Sequence, residues 1–350
     1  MSQQKGVHVV LVGCGAIGSS LVWQLARMPE IARVTLVDPD AYGKSNLRSQ
    51  FIFPCDLGEL KVAVQARRLR VLNPDLEVAA IPAAIGDVPL GSLRADLVLA
   101  CVDSKLARQS VNAIAWRLGI PWIDAGVLES AQLARVNVYA PAAEAVCMEC
   151  AWGDEDYKSL EAEYPCGAVA GESPSDTSSA LAALAASLLA IECKKLLSGD
   201  REHAAIGRQI TVDARTHRLL STTFRRNSSC RFDHVIWAIA PLRCSLQRLT
   251  VAEVLAITGS LRVAGHRFAR QLVCQGCGFR LDGLRLDRPK ARCPKCGARL
   301  VAPGFDALLD KLDASLPHDC LTRTLAQVGL VHSDVVSGSR QQFELRSEVM

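Results

Sequence analysis

The first candidate binding motif along the chain is a glycine-rich segment, GCGAIG at Gly13–Gly18. It follows an apolar strand-like run and opens a helical stretch. Glycines there allow a tight turn, and the N–H groups of a helix start can bind a phosphate. Asp38 comes 20 residues after Gly18, a spacing expected for a carboxylate on ribose hydroxyls. Gly13, Gly15, Gly18 and Asp38 therefore predict a nucleotide site, although nicotinamide enzymes, flavin enzymes and structural glycine turns share this pattern.

Charged residues in the following segments favour ATP over a hydride-transfer cofactor. Arg48 lies in the loop SNLRSQ, Lys61 opens the next helical stretch, and Asp103 follows an apolar run. An enzyme that attacks ATP at its α-phosphate needs such a set, because lysine and arginine neutralise phosphate charge and an aspartate holds Mg²⁺. The alternatives are a solvated lysine at position 61 and a helix cap formed by Asp103 beside Ser104.

Apolar strand-like runs and amphipathic helical stretches alternate over the first 140 residues. Such alternation predicts an α/β fold with a Rossmann-like, doubly wound and mainly parallel sheet. In this arrangement the glycine segment follows the first strand and Asp38 ends the second. The predicted strands are Val7–Val12, Val34–Asp38, Val78–Ile81, Leu97–Val102, Trp122–Asp124 and Val136–Tyr139, and the predicted helices are Ile17–Met28, Leu60–Leu72 and Lys105–Leu118.

A loop-rich stretch, Pro141–Ser175, separates these elements from a long helix. We expect Asp176 or Thr177 to cap that helix and Gly199 to end it, because acidic and hydroxyl side chains favour N-caps and glycine favours C-terminal positions. A hairpin near residues 209–224 follows. The last third of the chain changes character and contains Cys-x-x-Cys pairs and many arginines.

Four cysteines in that last third have the spacing of a zinc ribbon. The pairs CQGC and CPKC are separated by 15 residues, and a glycine follows each pair. This spacing suits four thiolates around a tetrahedral Zn²⁺, and a site closed by four protein ligands would be structural or support docking. A redox pair or chance spacing is the alternative. We predict zinc ligands at Cys274, Cys277, Cys293 and Cys296, in a smaller zinc-binding domain over residues 226–350 that follows the α/β domain of residues 1–225.

Composition argues against several classes of protein. A net charge of +4, with no basic run interleaved with aromatic residues, argues against nucleic-acid binding. Met1–Lys5 is polar and unlike a leader, and the longest apolar stretch, around Ala180–Ile191, is too short to span a bilayer. Fourteen cysteines in such a chain indicate metal ligands or a reactive thiol rather than disulfides. We expect a cytoplasmic protein with no membrane partner.

The ordered set GCGAIG, VDPD, SNLRSQ, GELK and CVDS resembles the MoeB/ThiF/HesA family, relatives of ubiquitin-activating enzymes. The resemblance covers about residues 7–225, and the combination is far more specific than any one motif. It implies an enzyme that uses Mg-ATP to adenylate the C-terminal carboxylate of a ubiquitin-like or sulfur-carrier protein, with release of pyrophosphate. By position it implies Asp38 on the ribose, Asp40, Asn46 and Gln50 along the nucleotide, Lys61 on phosphate and Asp103 on Mg²⁺.

Two features depart from the family's pattern. Family members commonly read Ser-Asn-Leu-x-Arg-Gln, whereas here Arg48 precedes Ser49 and the arginine is displaced by one position. Many relatives also carry an N-terminal helical segment whose arginine reaches the active site of a dimer mate, while here the first strand is expected at about residue 7. Arg48 either reaches the phosphates from a shifted backbone or faces away. Without the N-terminal segment, either another arginine substitutes or a partner chain supplies it. We expect a homodimer, although not the conventional symmetric one with an arginine in trans.

Cys166, in the segment EYPCGAVAGESPSDT, resembles the cysteine of the family's Cys-x-x-x-Gly-Val neighbourhood. A thiolate there could attack the acyl-adenylate and form a thioester. The alternative is an unreactive loop cysteine, because some relatives only adenylate. Four further cysteines lie in predicted elements or beside apolar runs and are interpreted as packing residues: Cys14, Cys55, Cys101 and Cys193.

The pair CMEC, Cys147–Cys150, occupies the place where many family members have one half of a zinc site. The usual second Cys-x-x-Cys is not found just after the hairpin, but SSCRFDH offers Cys230 and His234. We predict a second zinc bound by Cys147, Cys150, Cys230 and His234, with Cys244 as a substitute ligand. The alternative is a surface His234 and a free Cys230.

The expected function is adenylation of a ubiquitin-like or sulfur-carrier protein, with Cys166 then passing the acyl group to a conjugating enzyme or a sulfur-transfer partner. The zinc ribbon and a helical run after it would recruit a partner. One alternative is adenylation of a small molecule, a peptide or a tRNA base. The other is a non-catalytic, zinc-bearing partner subunit of an activating enzyme.

Overall fold

The computed structural model describes residues 6–162, 177–288 and 291–348. The chain forms two compact units, Met1–Gly86 with Arg94–Ile236, and Asp87–Leu93 with Trp237–Met350. Asp87–Leu93 therefore belongs to the second unit although it precedes most of the first, and the N–H of Gly91 donates to the carbonyl of Ser333 at 2.8 Å. In the part of the chain described, no helix has the length and apolar character needed to cross a bilayer.

The first unit is built on an eight-stranded sheet with the order β3-β2-β1-β4-β5-β6-β7-β8. The first five strands run parallel, and β6 to β8 are antiparallel additions. This arrangement confirms the predicted Rossmann-like α/β fold with a mainly parallel sheet. The strands are β1 Val7–Val12, β2 Ile31–Val37, β3 Glu77–Ile81, β4 Leu97–Ala100, β5 Trp122–Leu128, β6 Leu133–Tyr139, β7 Arg208–Asp213 and β8 Arg218–Thr223, and the helices are α1 Ala16–Leu25, α2 Lys61–Leu72, α3 Lys105–Leu118, α4 Asp154–Ala162 and α5 Ser179–Leu197.

The central strands are largely apolar because helices cover both faces of a parallel sheet, although His8 lies on β1 and Asp124 on β5. Val9 and Val10 are both fully buried although they point to opposite faces of β1. Helix α5 contributes small residues, including Ala182 and Ala186, to the same core as α1 and the sheet. Small side chains allow this helix to lie close to its neighbours. The glycine turn between β1 and α1 is thereby attached to a rigid core.

Some predicted element boundaries were wrong. Ser178 caps α5, since its Oγ accepts a hydrogen bond from the N–H of Leu181 at 3.2 Å. Thr177 is therefore not the cap, and Asp176 lies outside the described residues. The stretch predicted to be loop contains α4, whose first turn is acidic and complements the helix dipole. Strand β4 ends at Ala100, two residues earlier than predicted.

The second unit contains two small sheets. One has the order β10-β15-β16-β9, and the other has the order β12-β11-β13, with β14 also paired to β11. The helical run expected after the zinc ribbon is wrong, because the described residues there form two separate four-residue helices among short strands. The elements are β9 Ile239–Arg243, α6 Val251–Thr258, β10 Arg262–Val263, β11 Arg267–Cys274, β12 Arg280–Asp287, β13 Leu300–Val301, β14 Leu308–Leu309, α7 His318–Leu321, α8 Leu325–Val328, β15 Val335–Ser337 and β16 Gln342–Arg346.

Candidate active site and metal centres

The glycine turn leaves room for a phosphate at the start of α1. Gly13 has φ +91°, and a Cβ there would collide with the carbonyl of Cys101. A Cβ on Gly18 would collide with the carbonyl of Gly13, so side chains are excluded at both positions. A Cβ on Gly15, by contrast, would meet only the Nε2 of Gln50, at 4.0 Å. The turn is therefore closed towards the sheet and open towards Gln50, where backbone N–H groups can donate hydrogen bonds to an anion.

Asp38 is held in one orientation beside this turn. It is only 5% exposed. Its Oδ2 accepts a hydrogen bond from the N–H of Cys14 at 2.7 Å, and its Oδ1 accepts one from the N–H of Asp40 at 2.9 Å. Burial raises the pKa of Asp38, while the charge of Lys61 and the two N–H groups oppose that rise. The carboxylate is thus fixed by the backbone and has remaining lone pairs for a hydroxyl donor.

Lys61 lies close to the carboxylates of Asp38 and Asp40. Its Nζ donates to Oδ2 of Asp40 at 2.9 Å, and its N–H donates to the Asp40 carbonyl at 2.8 Å. The lysine is 9% exposed, so it is not a solvated surface residue. Burial alone would lower the pKa of Lys61, but the charges of Asp38, Asp40 and Asp103 outweigh this effect and raise it. The ammonium group therefore stays positive at neutral pH, as a phosphate-binding lysine requires.

Asp103 is exposed in the short segment between the end of β4 at Ala100 and the start of α3 at Lys105. The cap of α3 is Ser104, whose Oγ accepts from the N–H of Ala107 at 3.1 Å, so the helix-cap alternative for Asp103 is wrong. Among the described residues, none donates a hydrogen bond to the Asp103 carboxylate. An exposed carboxylate without a partner suits a hard cation such as Mg²⁺. Asp103 is also near enough to raise the pKa of Lys61.

The displaced arginine faces away from the protein interior. Arg48 is exposed and makes no ion pair or hydrogen bond through its side chain within the described ranges, whereas Ser49 is buried.

The other two predicted residues of this loop are Asn46 and Gln50. Oδ1 of Asn46 accepts from the N–H of Gly43 at 2.9 Å and so caps the short helical turn Lys44–Arg48. The amide of Gln50 lies beside the glycine turn, and its buried Oε1 finds no hydrogen-bond partner among the described residues.

Sequence reasoning missed Tyr42, which braces the glycine turn. Its hydroxyl donates to the carbonyl of Cys14 at 2.8 Å and accepts from Nε2 of Gln65 at 2.7 Å. The side chain is 2% exposed. The tyrosine thereby connects the turn to α2, the helix that carries Lys61. The available signal was a single aromatic residue in the otherwise polar segment DPDAYGKSN.

A buried charge network around Asp124 was also missed. Asp124 is 1% exposed, and its two oxygens accept from Nε of Arg108 at 2.8 Å and from NH1 of Arg135 at 2.9 Å. Arg108 also donates to the carbonyl of Val102 at 2.6 Å. This network fixes the segment that presents Asp103. Both arginines are committed to Asp124, which gives each a positioning role.

The structure brings together Cys147, Cys150, Cys230 and His234, whose ligand atoms all lie within 4.8 Å of one another. Sγ of Cys147 lies 3.9 Å from Sγ of Cys150 and 3.7 Å from Sγ of Cys230, and Sγ of Cys150 lies 3.3 Å from Nε2 of His234. Tetrahedral zinc with ordinary bond lengths requires S···S edges of roughly 3.8 Å and S···N edges of roughly 3.5 Å. The donor set therefore fits a zinc ion.

The surroundings of this group match a metal site. His234 is 9% exposed, and Trp116 packs edge-on against its ring at a centroid distance of 4.9 Å. NH1 of Arg226 donates to Sγ of Cys150 at 3.7 Å and offsets thiolate charge. The predicted substitute ligand Cys244 is instead packed in the core of the second unit. The alternative of a surface histidine is wrong as well.

The four cysteines of the predicted ribbon also converge within 4.8 Å. Cys274 and Cys296 have their Sγ atoms 3.3 Å apart, and Cys277 and Cys293 have theirs 3.6 Å apart. Each Cys-x-x-Cys pair ends in a glycine with positive φ, +69° at Gly278 and +74° at Gly297. The N–H groups of these glycines donate to the carbonyls of Cys274 and Cys293, at 3.0 and 2.9 Å. Two matching turns thus present four thiolates to one centre, and this set fits zinc.

Six cysteines remain besides those of the two metal groups and Cys244, and one of them, Cys320, is buried in the core of the second unit. Cys14, Cys101 and Cys193 are buried in or beside the sheet, as their interpretation as packing residues requires. Cys55 is exposed, so its interpretation as a packing residue was wrong. Cys166 lies outside the described residues.

Comparisons with known proteins agree with this site. The model of the ThiF family matches residues 2–232. The sulfur carrier protein ThiS adenylyltransferase of Escherichia coli (strain K12) is 30% identical over 226 residues, which is 64% of this chain and 84% of that protein. Ubiquitin-like modifier-activating enzyme 5 of Oryza sativa subsp. japonica is 32% identical over 162 residues. That match spans 42% of this chain and only 38% of the rice enzyme's length.

Solved structures show the same fold. A crystal structure of Escherichia coli MccB with AMPCPP and MccA has a TM-score of 0.52 and 25% identity. The match covers 65% of this chain and 66% of the MccB chain. The matched family model spans more than half of the sequence, including all the nucleotide-site residues described above. The chain therefore belongs to the ThiF family and is a ubiquitin-activating-like adenylyltransferase.

Proposed function

We propose that this protein adenylates the C-terminal carboxylate of a ubiquitin-like or sulfur-carrier protein, using Mg-ATP and releasing pyrophosphate. The observation that carries the proposal is the group formed by Asp38, Lys61, Asp40 and Asp103 beside the open glycine turn. A dehydrogenase would give Lys61 and Asp103 no role. The names of the relatives, a ThiS adenylyltransferase and a ubiquitin-like modifier-activating enzyme, support the substrate class.

Each residue has a chemical role in this proposal. Asp38, fixed by two backbone N–H groups, accepts hydrogen bonds from the ribose hydroxyls. The substrate carboxylate attacks the α-phosphorus, and the bond from that phosphorus to the pyrophosphate oxygen breaks. Lys61 stabilises the negative charge that develops on the phosphate oxygens. Mg²⁺, held by Asp103, would neutralise the departing pyrophosphate, and Gln50 would orient the nucleotide.

The first test is ATP–pyrophosphate exchange, measured with the folded, zinc-loaded protein and a panel of small β-grasp proteins. We expect exchange that depends on a substrate with an intact C-terminal tail, because the carboxylate is the nucleophile. A substrate whose C-terminus is amidated is the matched control and should give background rates. If no β-grasp protein supports exchange, the proposed substrate class is wrong.

A peptide is the second candidate substrate, because the MccB structure that shares this fold contains MccA with AMPCPP. The same exchange assay separates the two candidates. Exchange with a short peptide that lacks a folded β-grasp domain would favour the peptide. A requirement for the folded domain as well as the tail would favour a ubiquitin-like protein or a sulfur carrier.

Cys166 is proposed to take the acyl group from the adenylate. Its thiolate would attack the acyl carbon, form a thioester and release AMP. Cys166→Ser should leave ATP–pyrophosphate exchange unchanged and abolish the thiol-sensitive adduct seen on a non-reducing gel. Cys55→Ser, at an exposed cysteine with no proposed role, is the control and should keep the adduct. An adduct that persists in Cys166→Ser would assign the thioester elsewhere.

The proposal also assigns roles to the rest of the molecule. The adenylation domain would correspond to residues 1–225 and the zinc-bearing, partner-binding region to residues 226–350. A cytoplasmic homodimer would pass the activated substrate to a conjugating enzyme or a sulfur-transfer partner. The chemistry of the two cysteine groups supports a zinc ion in each, and both would be structural because each is closed by four protein ligands.

A further inference from the structure

Two arginines of the second unit share a half-buried site. The Nε atoms of Arg285 and Arg323 are both buried and lack a hydrogen-bond partner in the described chain. The guanidinium of Arg323 packs directly against Gly283, which has φ +100° and lies at the irregular part of the β11–β12 pairing. Arg285 follows two residues later on β12, and its NH1 donates to the carbonyl of Gln327 at 3.2 Å. The site is therefore defined by β12 and by the helical turns that follow residue 317.

The two positive charges repel each other. Burial, and then the charge of Arg323, lower the pKa of Arg285. No carboxylate within the described ranges forms an ion pair with either guanidinium. Of the two acids on β12, Asp282 accepts from Nε2 of Gln271 at 2.5 Å, and the buried Oδ1 of Asp287 forms no hydrogen bond with either guanidinium. Buried donors without acceptors are costly, and two like charges held together add to that cost.

The surrounding sequence strengthens the positive potential. Residues 261–300 contain ten lysines and arginines but only two acidic residues. The whole chain, by comparison, has a net charge of +4. Positive charge is therefore concentrated on the part of the second unit that contains β11, β12 and the zinc ribbon. A surface region with this much positive charge attracts anions and raises their local concentration.

We propose that Arg285 and Arg323 form a binding site for an oxyanion, a phosphate or carboxylate group that accepts hydrogen bonds from both guanidinium groups. Guanidinium presents planar pairs of N–H donors that match two oxygens of such a group, so one anion can satisfy both side chains. The anion would also remove the repulsion between the arginines. This site lies in the second unit and is independent of the proposed nucleotide site. Its ligand would be an inorganic anion or an anionic group on a partner segment.

The test measures the binding of inorganic phosphate to the full-length, zinc-loaded protein by calorimetry, with chloride at matched ionic strength. Arg285→Gln and Arg323→Gln should each weaken phosphate binding at this site by about tenfold or more, because each removes a charge-assisted hydrogen-bond donor. Arg340→Gln removes the same charge from an exposed position in the same unit and should bind as wild type. Phosphate binding at the nucleotide site should be the same in the wild type and in all three variants. A difference in phosphate binding between them therefore reports on the arginine site.

Thermal unfolding separates this role from a purely structural one. Without phosphate, each variant should be as stable as wild type or more stable, because repulsion and a buried unpaired donor are removed. With phosphate, wild type should gain more in melting temperature than either variant. A variant that is equally destabilised with and without phosphate, or that binds phosphate as wild type does, overturns the proposal.

Competition identifies the source of the anion. A phosphorylated peptide that displaces phosphate from wild type but not from Arg323→Gln would assign the site to a phosphorylated partner segment. Displacement by a peptide through its C-terminal carboxylate would assign it to a carboxylate. Displacement by neither, with phosphate binding still dependent on both arginines, would assign it to a free inorganic anion.

Discussion

Lys61→Ala should lower the rate of ATP–pyrophosphate exchange by about 10²-fold or more, the usual effect of removing a group that stabilises developing charge. The lysine is 9% exposed and bonded to Asp40 at 2.9 Å, so its position is fixed before substrate binds. Three aspartates keep it charged by raising its pKa. Without it, phosphate oxygens would meet the carboxylates of Asp38, Asp40 and Asp103 with no ammonium group to offset their charge.

The exchange assay with saturating ATP measures this effect on the chemical step. Lys158→Ala is the matched control, since Lys158 pairs with Glu155 on an exposed helix surface where ion pairs contribute little. That variant should exchange as wild type does. Lys61→Arg restores charge with a different shape and should recover only part of the rate. If Lys61→Ala folds, binds zinc and exchanges at the wild-type rate, Lys61 has no role in adenylation.

Several features of the fold and the site followed from local sequence rules. The parallel strands were predictable because buried strands covered on both faces are largely apolar: β4 is apolar throughout, and β1 contains one polar residue, His8. The glycine turn was predictable because only glycine fits at positions 13 and 18, where the structure leaves no room for a Cβ, and the sequence shows those glycines directly. The spacing from Gly18 to Asp38 follows from one helix and one strand. Each of these rules acts over a few tens of residues.

Other features depend on the path of the chain in three dimensions. The exposure of Arg48 and the burial of Ser49 are set by one short helical turn, and sequence alone does not give its rotation. The network around Asp124 joins residues of α3, β5 and β6 and carries no motif. Tyr42 acts through a hydroxyl that reaches a carbonyl 28 positions earlier. Such long-range polar contacts become visible only when the sheet order is known.

Cys293→Ser should remove one of two zinc ions per chain and unfold the zinc-binding end of the β11–β12 ribbon. In the described residues, the hydrophobic core beneath that end contains five buried residues, and two of them, Cys274 and Cys293, are themselves proposed zinc ligands. The other end of the ribbon, with Phe268, Leu284 and Leu286, belongs to the larger core of the second unit and should keep its amide protection. Structural zinc contributes an apparent free energy of about 10–16 kcal/mol in small zinc-finger peptides, far more than so small a core can provide. Zinc content measured by mass spectrometry and amide exchange across residues 267–287 would report the loss.

The two zinc centres lie in different units, and this separation makes the experiment selective. Cys150→Ser should remove the other ion and expose the group around Trp116 and His234, while leaving amide protection in the ribbon. Cys293→Ser should leave ATP binding intact, because Asp38, Lys61 and Asp103 all belong to the first unit. Cys55→Ser changes an exposed cysteine outside both groups and should retain two zinc ions. If Cys293→Ser retained both ions and full amide protection, the four thiolates would not form a structural zinc site, and the ribbon would need another source of stability.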